Sequence, residues 1–441
     1  MDSYLVVGII LVLMIVFLLM GMYIHAVLFA CGIFGLIMLE GFSILPGLLG
    51  NEPFNRVASY TLTTIPLFVL MAQFILHSGL VQDVFYIVHK VSKGKSSLLG
   101  ILTLIIGGML GAVSGSGTAT AASLGQVAIP ELRKHGYSAP LAGAIAASGG
   151  SLSGIIPPSI ILILYGVATE TPVGDLFIGA FIPGILVMVM FIIAMLFYFN
   201  LERKKMPVTE SSAVADVEEE MKIPLFRVIT ALVIGLLIVV LIFGGIYSGL
   251  FTPTEAGAVG ATAGLLTALV LGKVNFSFFK NSLTETIKLT AMVLLIMIGA
   301  QIFGRFVSLS LLPRKLINLL EPIMDNPALV LILISIILFV MFMFIEGAAV
   351  ILMTIPVFLP IITALQVDVL WFGVFISVIC TIGLITPPVG ISVYAVSGVS
   401  GISSGAIFKI AMGFAIFAMI VVCGLLILFP ELVSWLPSLS N

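Results

Sequence analysis

The chain has 441 residues, 61% of them hydrophobic and only 9% charged, with a net charge of −2 and a mean hydropathy of +1.32. A soluble domain carries roughly a quarter charged residues, so a water-soluble core is excluded, and with no basic face nucleic-acid binding is excluded too. Cys31, Cys380 and Cys423 all sit inside apolar runs, which leaves neither a disulfide framework nor a metal-ligand spacing.

Apolar runs of about 17–25 residues, the length that crosses a bilayer, recur along the whole chain. The opening run from Tyr4 to Leu39 is preceded by a single charge, Asp2, and lacks a basic n-region, so it is expected to be mature structure and not a signal peptide. Spans are predicted near 4–20, 23–39, 58–78, 139–170, 176–200, 226–247, 254–272, 284–304, 368–398 and 405–429. Two further apolar stretches, 97–130 and 327–362, are predicted as re-entrant hairpins. Amphipathic stretches 79–93 and 305–320 read as surface arms or as segments buried between helices. The polar segment 201–224 reads as a cytoplasmic linker between two halves, 1–200 and 225–441.

Lys93, Lys95, Arg133, Lys134 and the run Arg203-Lys204-Lys205 are assigned to the cytoplasm by the positive-inside rule. Following the spans from there puts both termini on the periplasmic side. Arg56, Arg305, Arg314 and Lys315 stand against this map.

A displacement of 230 positions, the separation of Pro157-Pro158 from Pro387-Pro388, also brings Gly117 onto Gly347, Ala119 onto Ala349, Pro130 onto Pro360 and Gly143 onto Gly373. Ala72-Gln73 matches Ala300-Gln301 at 228. With the topology above the two copies are inverted, the arrangement of alternating-access carriers.

Four motifs interrupt the apolar runs. Ser114-Gly115-Ser116-Gly117-Thr118-Ala119-Thr120 is poor helix interior. It suits a hairpin tip, whose carbonyls and hydroxyls would hold a hard cation such as sodium and whose helix N-terminal amides would attract an anion. A small-residue seam between ordinary spans is the alternative. Gly149-Gly150-Ser151-Leu152-Ser153-Gly154-Ile155-Ile156-Pro157-Pro158-Ser159 should unwind a span at its prolines, marking either a binding site or a packing kink. The second half offers Glu346-Gly347-Ala348-Ala349 at a hairpin tip and Thr381-Ile382-Gly383-Leu384-Ile385-Thr386-Pro387-Pro388-Val389-Gly390 in a broken span. Glu346, ionisable inside an apolar segment, is a functional candidate: it could neutralise a cation, relay a proton or cap a helix.

His25, His77, His89 and His135 form no cluster, and no nucleophile, zinc or nucleotide-binding motif occurs. No enzyme and no cofactor is expected, and ATP does not drive this chain directly. A channel would show a pore-lining polar stripe, which is missing.

Together with Ile65-Pro66-Leu67-Phe68, Tyr165-Gly166 and Phe251-Thr252-Pro253-Thr254-Glu255-Ala256, these motifs resemble those of the large membrane subunit of tripartite ATP-independent periplasmic (TRAP) transporters. Ala72-Gln73 departs from the small glycine-containing turn expected there. The resemblance implies an all-α polytopic membrane protein of the ion-transporter superfamily, with two inverted repeats that each hold a hairpin and a broken helix, working as a sodium-driven elevator in the bacterial inner membrane. It implies two partners, a small four-helix membrane subunit on a separate chain and a periplasmic binding protein that delivers a C4-dicarboxylate, sialic acid or similar carboxylate. One sodium site would involve Ser114, Ser116, Gly117, Gly149, Ser151 and Ser153, and the other Gly347, Thr381, Gly383 and Thr386. The anion would lie near Ser153, Pro157, Ser159, Glu346 and Pro387. A stand-alone symporter without a binding protein would share all these features.

Overall fold

The computed structural model describes residues 3–80, 96–203 and 225–439, and the described residues contain helices and no strand. The surface arm expected from 79–93, beyond Leu80, and the linker of 201–224, beyond Arg203, lie outside the described residues.

Helices α1 (Ser3–Leu19) and α2 (Ile24–Glu40) are followed by the short amphipathic α3 (Leu45–Val57) and by α4 (Thr64–His77). Next come a helical hairpin, α5 (Ser96–Ser114) and α6 (Gly117–Lys134), a broken pair, α7 (Ala139–Ser151) and α8 (Ile160–Thr169), and the long α9 (Val173–Arg203). In the second half α10 (Leu225–Tyr247), α11 (Pro253–Val270), α12 (Phe276–Leu309) and α13 (Leu312–Leu320) precede a second hairpin of α14 (Pro327–Phe344) and α15 (Gly347–Ala364). A broken pair, α16 (Val369–Gly383) and α17 (Ile391–Ser400), leads to α18 (Ser404–Leu428) and α19 (Glu431–Ser438). The 230-residue register extends to the helix bounds: α6 and α15 begin and end in step, as do the starts of α7 and α16.

Among the described residues six helical segments, Tyr60–His77, α9, α12, α14, α15 and α18, are long and apolar enough to cross a membrane. Side chains such as Leu19, Phe197, Val240 and Leu269 are apolar and exposed, as a lipid-facing surface requires. The protein is a multi-pass membrane protein.

The expected arm of 305–320 divides differently from the prediction. Residues 305–309 continue α12, because Gly304 alone weakens a helix by only about 1 kcal/mol and here lies against Pro356. The chain then turns at Leu311, which adopts φ 55°, before α13 starts at Leu312 with Pro313 in its first turn. Segments α3 and α19 were not predicted; both are short and neither forms a continuous apolar run.

Contacts sort the helices into two bundles. One packs α2 on α12, α4 on α11 and α12, α1 on α2 and α10 on α11; the other holds both hairpins, both broken pairs, α9 and α18. Within the second bundle α6 packs on α17 and α15 on α8, so each hairpin lies against a broken helix of the opposite half. The bundles meet chiefly where α12 touches α15 and α4 touches α5 and α8.

Helix ends gather at two poles. At one, Thr64 Oγ1 and Thr254 Oγ1 share a 2.6 Å hydrogen bond and Tyr165 Oη donates to the Val369 carbonyl at 2.7 Å. The same pole holds the start of α1, where Ser3 Oγ donates to the Ser310 carbonyl and Lys315 Nζ donates to Ser3 Oγ while lying 3.9 Å over the Tyr4 ring. At the other pole Ser138 Oγ donates to Glu202 and Tyr137 Oη to the Ser96 carbonyl.

Candidate functional site

The two hairpin tips and the two helix breaks come together in the second bundle. At the first tip α5 ends at Ser114, whose side chain lies outside those described, and Gly115 takes φ 59°, a conformation that glycine adopts without a Cβ penalty. Ser116 caps α6, its Oγ accepting the Ala119 amide as N-cap serines do. A methyl group on Gly117 would sit 3.1 Å from Ser153 Oγ, 3.4 Å from the Gly150 carbonyl and 3.4 Å from Leu384 Cδ1. The tip thus touches the first break and reaches the second.

The first break is narrower than the sequence suggests. Gly149 and Ser151 remain helical in α7, and the chain departs from α-helix only from Leu152 to Ser159, through a 3₁₀ turn at Leu152–Gly154 and the cis Pro157-Pro158 bond. Those glycines serve close packing: a methyl on Gly150 would lie 2.5 Å from the backbone nitrogen of Ala121, and one on Gly107 would lie 2.6 Å from Gly149 Cα. Ser159 Oγ donates across the break to the Gly154 carbonyl at 2.8 Å, and Ser151 Oγ donates to Ser148.

In the second half Thr381 and Gly383 likewise stay helical in α16, and the break runs from Leu384 to Gly390, with Pro387-Pro388 again cis. Thr381 Oγ1 donates to the Ser377 carbonyl and Thr386 Oγ1 to that of Ile382, each at 2.8 Å. A hydroxyl that donates inward keeps its lone pairs for a cation. The Val389 amide donates to the Met343 carbonyl at 3.2 Å, tying this break to the second tip. There Glu346 holds the N-cap position of α15 without a side-chain capping bond, and its Oε2 is buried with no hydrogen-bond partner. A methyl on Gly347 would lie 2.5 Å from Cys380 Sγ and 3.1 Å from Ile161 Cδ1. The breaks touch one another as well, since a methyl on Gly154 would lie 2.7 Å from Thr381 Oγ1.

Four helix N-termini (α6, α8, α15, α17) and four C-termini (α5, α7, α14, α16) therefore converge. N-terminal amides attract anions and C-terminal carbonyls attract cations. Two buried hydroxyls without partners, Ser148 Oγ and Ser392 Oγ, were not anticipated. Ser392 lies in the first turn of α17, and its amide donates to the Leu384 carbonyl. Its position just after the double-proline break was the available signal.

Paired tips against paired breaks, in an all-helical protein with membrane-length apolar helices, define a membrane transporter fold. The YdaH transporter of Alcanivorax borkumensis shares it at a TM-score of 0.65 and 15% identity, with 98% of each chain covered. MtrF of Neisseria gonorrhoeae, described within a class of antimetabolite efflux pumps, shares it at a TM-score of 0.63 and 13% identity, over 89% of this chain and 85% of that one. The family model for the DctM component of tripartite ATP-independent periplasmic transporters matches residues 11–432. Among relatives, the C4-dicarboxylate large permease DctM of Pseudomonas aeruginosa is 31% identical over 88% of this chain and 87% of its own. The sialic acid large permease SiaM of Vibrio cholerae is 30% identical over 88% and 89%, and the 2,3-diketo-L-gulonate permease YiaN of Escherichia coli 28% over 86% and 87%. The chain belongs to the DctM family of TRAP transporter large permeases; it is a transport subunit and not an enzyme.

Proposed function

We propose that the protein is the sodium-coupled transport subunit that imports a small carboxylated solute delivered by a periplasmic binding protein, together with a small four-helix membrane subunit. The convergence of helix ends at two tips and two breaks carries this reading. Such a site offers amides to a carboxylate and carbonyls with hydroxyls to sodium, without a basic side chain. The first ion is assigned to Ser114, Ser116, Gly117, Ser153 and the end of α7 with Gly149 and Ser151, and the second to Gly347, Thr381, Gly383 and Thr386. Ser153, Pro157, Ser159, Glu346 and Pro387 border the anion between them. Transport then proceeds by an elevator-type shift of the second bundle against the first.

The poles support the orientation. Arg133, Lys134, Arg203, Lys273 and Lys409 stand towards the Ser138–Glu202 pole, while Glu170, Asp175, Glu255, Asp368 and Glu431 stand towards the Thr64–Thr254 pole. Positive-inside sorting puts the former in the cytoplasm of the inner membrane and both termini in the periplasm. Arg56, Arg305, Arg314 and Lys315 run against this bias, and Lys315 is engaged by Ser3 and Tyr4.

Reconstitution with the small subunit and binding protein in liposomes tests the proposal. Uptake of a labelled carboxylate is expected only with both an inward sodium gradient and the binding protein. Uptake indifferent to the binding protein would leave a stand-alone symporter, and uptake indifferent to sodium would remove the coupling.

A further inference from the structure

At the acidic pole, outside the tips and breaks, a cavity of about 420 Å³ opens between the two bundles. Ser59 and Thr61, just before α4, form one wall; Gly166, Val167 and the turn from Glu170 to Val173 form the other. Among the described residues the lining is hydroxyl-rich and contains no basic side chain. Glu170 is the one carboxylate among the described lining residues, and it ends α8 in a left-handed conformation, φ 59°.

Both features of Glu170 oppose local stability. A left-handed C-cap favours glycine, and a carboxylate at a helix C-terminus adds to the negative end of the helix dipole. Together they make the Glu170 side of this concave, partly enclosed space negative. A small anion is repelled from such a space, and a cationic side chain fits it in both charge and size.

We infer that this cavity is a docking socket for a lysine or arginine side chain of the soluble binding protein. The inference rests on the tripartite reading. Because one wall belongs to each bundle, the socket changes shape when the bundles shift, so docking favours one transport state over the other.

The test measures uptake against binding-protein concentration in liposomes holding the complete transporter. Glu170→Lys should raise the half-saturating binding-protein concentration at least about tenfold at low salt, as charge reversal at a docking contact does, with the maximal rate within about twofold. Glu170→Gly removes the carboxylate and also relieves the left-handed backbone, so it should melt no earlier than wild type while weakening docking. Its docking should also lose most of the wild-type salt dependence. Unchanged half-saturation in Glu170→Lys, or an unaltered salt dependence in a folded Glu170→Gly, overturns the socket while the tripartite reading stands. Wild-type uptake that ignores the binding protein overturns both.

Discussion

The two halves follow the same backbone path with opposite packing chemistry. Helix α7, APLAGAIAASGGS, is built from alanine, glycine and serine, whereas its partner in the 230-residue register, α16, VLWFGVFISVICTIG, is aromatic and β-branched. In the first half backbones touch: Gly149 faces Gly107, and Gly150 faces Ala121. In the second half side chains fill the gap, with Cys380, the counterpart of Gly150, set against Gly347 and Trp371 stacked on Phe375 at 4.7 Å. The caps differ in parallel, Ser116 in one tip and Glu346 in the other. One architecture therefore tolerates either close backbone approach or side-chain filling, provided the helix ends stay in place. It also carries a buried carboxylate at one tip only.

This contrast can be broken hardest at Gly150. Gly150→Val places branched carbons against the Ala121 backbone, which cannot yield as a side-chain end can. A loss of roughly 3 kcal/mol, at the upper end of overpacking costs, and little folded protein by gel filtration are expected; normal folding would show that α6 and α7 are not locked. At the second tip, Glu346→Gln keeps the shape and removes the charge. Half-saturating sodium should rise about tenfold, or about 1.4 kcal/mol, while an unchanged sodium dependence would restrict Glu346 to structure. Ser116→Ala deletes the cap of the first tip, at a cost of about 1 kcal/mol visible as a lower melting temperature. The smallest effect belongs to Tyr165→Phe, which removes the hydrogen bond between the halves to Val369 and should cost about 1 kcal/mol or less, with sodium dependence unaltered. A change in sodium dependence there would mean that the halves communicate through this pole.

Much of the fold was legible because membrane spans are written in composition. Hairpin tips and breaks were legible because glycine, serine and proline oppose helix inside apolar runs. What escaped depended on tertiary packing. The glycines of α7 read as a place of unwinding, and only the approach of α5 and α6 shows that they hold the helix close to its neighbours. Ser148 was illegible because nothing local separates it from the neighbouring Ser151 and Ser153, and Ser392, although it follows the double-proline break, carries no local sign that its hydroxyl is left without a partner. The turn at Leu311 was missed for the opposite reason: leucine is among the residues least expected in a left-handed conformation.

The tip of each hairpin touches the other half, Gly117 at Leu384 and Gly347 at Ile161. A chain severed between Arg203 and Leu225 would therefore yield two polypeptides that each span the membrane but hold no complete translocation cradle. Activity would return only on co-expression, in proportion to the product of the two fragment concentrations. Duplicated halves that began as separate subunits would, by the same geometry, have depended on each other before they were joined.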